Sequence, residues 1–255
     1  MIPKIIHFCW LSDKEYPDII KKCIESWKNK LTDYEFILWD TKKFDIDSTL
    51  WTKQAFENKK YAFVSDYIRL YAVYNYGGIY LDTDAEVLKN FNDLLKLPYF
   101  IGTQWNDLIE SAIFGAEKQS DWVLDCLNYY DNRSFINKDG SLDMIVLPII
   151  MQSQIEKNKK IIKLKLNEVH DIYKLVEDKN LFYLYPNEYF SPKNYLTGKT
   201  FKSKKTYTIH HYNNSWKSFQ SIQKLKLIRL LGPDKAEKII SIFKIRKLIA
   251  LLKKL

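Results

Sequence analysis

Apolar and polar positions along this chain switch repeatedly between a strand period and a helix period. Lys4–Leu11 (KIIHFCWL) is a nearly unbroken apolar run closed by Ser12-Asp13, which predicts a strand. Ile20, Cys23, Ile24 and Trp27 then recur at helical spacing, and Tyr34–Asp40 (YEFILWD) is a second short run ending in an acid. Strand, helix, strand predicts an α/β sheet with parallel strands. Phe63, Tyr67, Leu70 and Tyr74 mark one face of a helix that stops at Gly77-Gly78, where glycine supplies the helix-ending conformation. Ile79-Tyr80-Leu81 restarts as a strand. Further on, Tyr99–Thr103 and Ala112–Ala116 read as strands and Asp121–Tyr130 as a helix. Asp143–Glu156 reads as a helix with Pro148 at a kink or boundary, and Asn180–Asn187 and Thr206–Tyr212 read as strands. There is no internal repeat and no low-complexity linker. A break near Ser218 separates a main domain, residues 1–218, from a tail, residues 219–255, in which Pro233 divides two amphipathic stretches.

The stretch NYGGIYLDTDAEV, Asn75 to Val87, delivers two aspartates one residue apart at the end of a predicted strand. On a strand, residues i and i+2 point the same way, so Asp82 and Asp84 are expected to present two carboxylates to one side. Ligands of α/β sheets sit outside the carboxyl ends of the strands, where this pair falls. Two hard oxygen ligands suit Mg²⁺ or Mn²⁺. An aspartic protease requires Asp-Thr-Gly, and here the third residue is Asp84. A haloacid-dehalogenase-type phosphatase also carries Asp-x-Asp after a strand. There it lies near the start of the fold and is followed by a Gly-Thr-like pair; here about eighty residues precede it and Ala85-Glu86 follow. Gly198-Lys199-Thr200 is not a P-loop, because Lys193 stands where its first glycine belongs.

Asp66 and Arg69 lie at i and i+3 on the glycine-terminated helix and share a face. Taken alone they fit a surface ion pair as well as a site. Ile209–Trp216 (IHHYNNSW) concentrates two histidines, two asparagines, a serine and a tryptophan. Adjacent histidines on a strand point to opposite faces, so at most one of His210 and His211 readily joins the aspartates. His7 and His170 read as structural.

Composition narrows the class. Hydrophobic content of 46% and charged content of 28% in 255 residues belong to a folded domain with a core. The net charge of +9 is uneven: from Gln220 onward ten basic residues face two acids, a net of +8, so residues 1–219 are nearly neutral. A basic tail on a neutral body argues for a local anionic partner, and no nucleic-acid partner is expected. Cys9, Cys23 and Cys126 form no CxxC pair and no zinc spacing, and read as reduced, buried thiols of a cytosolic protein. With no charged-then-apolar leader and no run of spanning length, neither export nor a membrane span is expected.

Three stretches in this order, IPKIIHFCWL, YAFVSDYIRLYAVYNYGGIYLDTDAEVLK and IHHYNNSWK, resemble the DXD-containing sugar-transferase family. That family includes capsule and exopolysaccharide glycosyltransferases and yeast-type initiating mannosyltransferases, and is related to the glucosylating domains of large clostridial toxins. The resemblance is strongest over residues 2–95 and returns near 207–217; Ser65-Asp66, Arg69, Gly77-Gly78, Tyr80 and Asp82-x-Asp84 fall at family spacing. It implies a GT-A fold, an α/β Rossmann-like nucleotide-binding sheet flanked by helices, here carrying the basic helical tail as an appendage. It also implies transfer with retention of configuration. By this resemblance Trp10 stacks on the uracil of a UDP-sugar, Asp66 and Arg69 hold sugar hydroxyls, and Tyr80 and Asp82 contact ribose and sugar. Asp84, with Asp82 beside it, binds Mn²⁺ or Mg²⁺ bridging the diphosphate, and one of His210 and His211 adds a ligand. Ser215 and Trp216 close over the departing diphosphate. Asn213 and Asn214 stand where the toxin relatives carry an acid, a departure in that part of the metal shell.

The expected activity is therefore metal-dependent transfer of a hexose (galactose, glucose or N-acetylhexosamine) from a UDP-sugar. The expected acceptor is a lipid-linked surface or capsular oligosaccharide at the cytoplasmic face of the membrane, with the tail on anionic lipid. The sequence does not choose among these donors and mannose, and no covalent nucleophile is named. The alternatives are a haloacid-dehalogenase-like phosphohydrolase and a non-catalytic basic module binding membrane or nucleic acid.

Overall fold

The computed structural model describes residues 1–176, 178–213, 219–232 and 235–241. Strand β1 (Ile5–Cys9) leads through helix α1 (Asp18–Lys30) to β2 (Glu35–Trp39), which lies parallel to it. Helices α2 (Leu50–Glu57) and α3 (Tyr61–Tyr76) then return the chain to β3 (Gly78–Leu81), parallel to β1 on its other side. A short strand β4 (Ala85–Val87) leaves the sheet, and β5 (Tyr99–Thr103) and β6 (Ile109–Ala116) complete it in the order β2-β1-β3-β6-β5. Both β6 pairings are antiparallel, so the sheet is mixed and not purely parallel. Then follow α4 (Asp121–Asn128), α5 (Leu147–Ile155), β7 (Lys160–Lys163), α6 (Ile172–Leu175), β8 (Leu181–Leu184), α7 (Asn187–Phe190), β9 (Thr208–His210) and α8 (Phe219–Leu231). Pro148 is a boundary and not a kink, because it sits in the first turn of α5, where its missing N–H has no partner to lose.

Strand alternation divides the core in two. His7, Tyr80 and Phe114 face the side covered by α2–α5, where Trp51, Val64, Ile68, Val123 and Ile150 are buried. Ile6, Phe8, Ile79, Leu81 and Ile113 face α1 and the β4–β9 pair. On that face Trp27 of α1, fully buried, donates its indole N–H to the Ala85 carbonyl at 2.6 Å, and Ser26 Oγ accepts from Val87 N–H at 2.9 Å. These two bonds fix β4, and with it the loop that carries the aspartates. The order 2-1-3 places a reversal of direction between β1 and β3. In open α/β sheets the crevice at the carboxyl ends beside such a reversal is where ligands bind. Trp10 follows β1 and Asp82 follows β3, so both stand at that crevice.

The two glycines have separate tasks. Gly77 ends α3, its N–H donating to the Val73 carbonyl, with φ at +67°. Gly78 begins β3 with φ at +105°, and a Cβ there would lie 2.7 Å from the Ile5 carbonyl oxygen. Gly78→Ala is therefore expected to cost at least about 2 kcal/mol, from backbone strain and a clash with β1. In a chain of this size that lowers the melting temperature by roughly 4–8 °C, readable by calorimetry. A melting point matching wild type would show that β1 and β3 separate easily.

His7 is fully buried between these strands. One ring nitrogen, Nε2, bonds the Gly77 carbonyl at 2.8 Å, and the other, Nδ1, accepts from the Trp39 indole N–H at 3.2 Å. That pattern needs a neutral ring, and burial first of all lowers its pKa from 6.5 to about 4. The unfolded chain then binds a proton before the folded one does. Stability is full above pH 6.5 and falls as the pH drops toward 4, by about 3 kcal/mol in all. His7→Gln is expected to flatten that slope in denaturant titrations between pH 7 and pH 4, and an unchanged slope would place the acid sensitivity elsewhere.

The three cysteines are buried and unpaired, as expected. Helix α8 buries Leu225 and Ile228 and leaves Leu230 exposed. It meets the body where Leu225 lines a cavity with Ile19 of α1 and where Arg229 Nη2 donates to the Tyr195 carbonyl at 3.2 Å. Residues 242–255 of the tail lie outside the described residues, as do Pro233 and the proposed break at Ser218. Among the described residues no helix is long and apolar enough to cross a membrane.

Candidate active site

Asp82 and Asp84 do come together, though not by strand alternation. β3 ends at Leu81, and Asp82 to Asp84 form a tight turn closed by the Ala85 N–H on the Asp82 carbonyl at 2.9 Å. β4 then pairs with β9 so that Ala85 lies opposite His210. One ligand atom each from Asp82, Asp84 and His210 lie within 4.8 Å of one another. His210 Nε2 is 3.4 Å from Asp84 Oδ1, and its Nδ1 is 3.4 Å from Glu110 Oε2. His211 turns the other way and bonds Glu86 Oε2 at 2.8 Å, so it is not brought to the aspartates. The alternation along β9 decides between the two histidines in favour of His210.

The charges in this cluster are set by burial and by each other. Burial works against a charged His210, but Glu110 and Asp84 on either side hold its proton and raise its pKa well above the ordinary value. Burial would raise the Asp84 carboxyl too; the His210 charge, its hydrogen bond and the Asn213 N–H at 2.7 Å overcome this and hold it at about 2. Two carboxylates and an imidazole suit a divalent cation. For His210 to serve as a ligand it must release its proton, so metal uptake here is coupled to pH.

Arg69 ties the helix to the cluster. It is 4% exposed, and its Nη2 lies 3.1 Å from Asp66 Oδ1 and 3.3 Å from Asp82 Oδ1. Nη1 donates to the Ser111 carbonyl at 2.8 Å, Nε to the Ser65 carbonyl at 3.3 Å, and Nη2 also to Ser65 Oγ at 3.2 Å. The guanidinium lies over the Tyr80 ring, 4.6 Å from its centre. Tyr80 is 1% exposed and donates its hydroxyl to Asp82 Oδ1 at 2.9 Å. The pair is thus a clamp around a buried guanidinium, and not the surface ion pair that its spacing alone also allowed.

These contacts give both residues a supporting part. Arg69 has at most one N–H left over and positions Asp66 and Asp82. Tyr80, under the guanidinium, fixes Asp82. Both of these contacts fall on Oδ1 of Asp82, which leaves Oδ2 for a ligand. Asp66 keeps some exposure, and burial pushes its carboxyl up to about 7 against the pull of Arg69. Asp82 is likewise raised by burial, with Arg69 opposing. Trp10, partly exposed, donates its indole N–H to the Lys14 carbonyl at 3.0 Å and packs edge-on to Tyr16, with ring centres 4.9 Å apart. Ser215 and Trp216 lie outside the described residues.

Glu110 was not anticipated. It is fully buried, in a strand whose eight residues are all buried, and its Oε1 accepts the Ala112 N–H at 3.0 Å. The available signal was an acid inside the apolar run IESAIFGA, since a buried glutamate is rare unless paired.

Residues 17–101 match the family described as glycosyltransferase sugar-binding region containing DXD motif. That stretch runs from the start of α1 into β5 and contains Asp66, Arg69, Asp82 and Asp84. A mannosyl phosphorylinositol ceramide synthase of Saccharomyces cerevisiae is 28% identical over 143 residues, 53% of this chain and 37% of the relative. Inositol phosphoceramide mannosyltransferase 2 of Schizosaccharomyces pombe is 32% identical over 105 residues, 40% of this chain and 30% of the relative. The chain spans about a third of the length of these curated relatives. A solved structure, the PaToxG glycosyltransferase, covers 69% of this chain and 75% of its own at 18% identity, with a TM-score of 0.45. The family match covers the DXD segment, the second of the three stretches that carry the resemblance, and the expected α/β sheet flanked by helices is the architecture of the structure itself.

Proposed function

We propose that this chain is a metal-dependent retaining glycosyltransferase that moves a hexose from a nucleotide sugar, in the first instance a UDP-hexose, to a lipid-linked acceptor. The observation that carries this is the convergence of Asp82, Asp84 and His210 at the crevice between β1 and β3, beside the buried Asp66–Arg69–Asp82 clamp. A divalent cation held there would stabilise the negative charge that grows on a departing diphosphate. Glycosyl transfer also develops positive charge on the sugar ring, and Asp66 and the free oxygen of Asp82 supply carboxylates to meet it. Arg69, Tyr80 and Ser65 keep those carboxylates in place, so no reorganisation is required of them as charge develops. Trp10 offers an aromatic surface for the base at the same crevice.

The fungal relatives, named as mannosyltransferases of inositol phosphoceramide, extend the donor panel to mannose and the acceptor class to phosphoinositol-bearing lipids. A surface or capsular oligosaccharide is the other acceptor class. Hydrolysis of a panel of UDP-glucose, UDP-galactose, UDP-N-acetylhexosamines and mannosyl nucleotides, each with Mn²⁺, tests the reading. The expected result is slow hydrolysis of one donor, abolished by chelator. Failure of every donor to bind in the presence of Mn²⁺ would remove this function.

The cytoplasmic, peripheral location at an anionic membrane face is part of the same proposal and rests on the +8 charge after Gln220. Leu225 and Ile228 are buried, so the attraction assigned to this helix falls to exposed lysines and arginines and is electrostatic. Cosedimentation with vesicles rich in anionic lipid is expected at low salt and is expected to fade by about 0.5 M salt, where the screening length is far shorter than at 0.1 M. Salt-independent binding would point to apolar insertion instead.

A further inference from the structure

Beside the aspartate–histidine cluster lies a second cavity of about 290 Å³, between the start of α1, Lys193, residues 211–213 and α8. The two share a wall: Asn213 lines the cavity while its N–H donates to Asp84 Oδ2 at 2.7 Å. Three cations face the cavity, Lys193, Lys226 and Arg229. Lys193 Nζ donates to the His211 carbonyl at 3.0 Å and Arg229 Nη2 to the Tyr195 carbonyl at 3.2 Å. Both charged heads are therefore aimed by neutral oxygens. Among the described residues none of the three cations forms an ion pair.

Converging cations repel one another, and burial, then Arg229, depresses the Lys193 amine against a smaller opposing pull from Asp84. An anion placed among them relieves that repulsion and accepts their remaining N–H donors. A carboxylate fills two such positions; a phosphate offers three or more oxygens to a lysine, a lysine and an arginine fork. The rest of the lining includes Ile19, Ile222 and Leu225, so the anion's neighbour in the ligand is aliphatic. At about 290 Å³ the cavity has room for a phosphate and its first attached groups.

We propose that this cavity is a phosphate-binding subsite that takes the phosphate of a lipid-linked acceptor, on the far side of the 211–213 wall from the donor's diphosphate. The proposal rests on the glycosyl-transfer reading for the word acceptor, and on the cavity alone for the word phosphate. The acceptor class is then a phosphate-bearing lipid or lipid-linked sugar, and α8 is a binding element of the enzyme as well as part of its basic tail.

The test is a titration of the full-length chain with inorganic phosphate in metal-free buffer, followed by calorimetry or by chemical-shift changes. Wild type is expected to bind. The double variant Lys193→Gln with Arg229→Gln is expected to weaken binding at least tenfold. Lys226→Glu, at an exposed position that does not touch the core, is expected to do the same should the double variant fail to fold. Repeating the wild-type titration with saturating UDP and Mn²⁺ separates the two sources of phosphate. Undiminished binding assigns the cavity to the acceptor. Loss of phosphate binding when UDP and Mn²⁺ are present would hand the cavity to the donor's diphosphate and overturn the proposal. So would absence of phosphate binding in wild type, or binding indifferent to Lys226→Glu. If no nucleotide sugar of the donor panel binds, the glycosyl-transfer reading fails and the acceptor assignment with it, while the metal-free titration still reports on the cavity by itself.

Discussion

Arg69→Ala is expected to destabilise the protein by about 3–5 kcal/mol and to lower transfer by roughly 10³-fold or more. The stability term arises because the buried guanidinium is the partner of two partly buried carboxylates, Asp66 at 3.1 Å and Asp82 at 3.3 Å. Burial already raises both carboxyls while Arg69 pulls them down. Without it each must take up a proton or keep an uncompensated charge, and either outcome spoils the site. The Ser111 carbonyl loses its 2.8 Å donor as well, which loosens α3 from β6. At 2–4 °C per kcal/mol the melting point should fall by roughly 6–20 °C. Arg69→Lys is expected to recover part of the stability, since a lysine restores charge but cannot span Asp66, Asp82 and Ser111 with one planar fork. Melting curves and turnover measured on the folded fraction separate the two losses. A variant within about 1 kcal/mol of wild type would return Arg69 to the surface pair that its spacing alone allows.

That expectation differs from what the sequence supports. Two residues at i and i+3 on a helix say only that they share a face, and for a sugar-gripping pair the loss would fall on activity far more than on stability. Whether the face is wet or buried depends on β6, about forty residues later, whose Ser111 carbonyl receives the guanidinium. Local pattern was legible where local physics decides. The apolar run of β1, the helix-spaced residues of α1 and α3, and the double glycine all mark real boundaries within a few residues. The glycines are legible because a stopped helix and a strand start crowded against β1 leave no room for a Cβ.

The aspartate pair was found for an incomplete reason. Alternation along a strand predicted their convergence, whereas a turn and the β4–β9 pairing produce it. Glu110 reaches His210 across one hundred residues of sequence, and Lys193 reaches the Asp84 side of the site only because β9 carries His211 there. Such pairings follow from topology and leave no periodic trace. The one sequence trace is charge in an apolar context, as in IESAIFGA. In the tail the amphipathic pattern predicted a face for lipid; Leu225 and Ile228 are buried, and residues 242–255 lie outside the described residues. Periodicity announces a face to be covered without naming what covers it.

Asp84→Asn is expected to abolish transfer, by roughly 10³-fold or more, while leaving a folded protein. An asparagine keeps an oxygen for the Asn213 N–H, which now donates at 2.7 Å, so the turn and the 211–213 wall survive. It removes the charge that faces His210 at 3.4 Å, but His210 retains Glu110 on its other side. The folded pKa of Asp84, about 2, lies below its unfolded value of 3.8. Its charge therefore stabilises the fold by about 2 kcal/mol above pH 4, a contribution lost as the pH falls through 2. The variant should forfeit that amount at neutral pH and show a weaker acid transition than wild type. Metal binding is the larger effect. Loss of a mere supporting partner costs a metal site 10–100-fold in affinity, and loss of a charged ligand from a two-carboxylate set should cost at least that. Titration with Mn²⁺, followed by its paramagnetic relaxation of water, reads this directly and needs no substrate. Retained Mn²⁺ affinity together with lost turnover would take Asp84 out of the metal set and leave it a role beside His210 alone. Retained turnover at low Mn²⁺ would remove the aspartate–histidine cluster from the reaction.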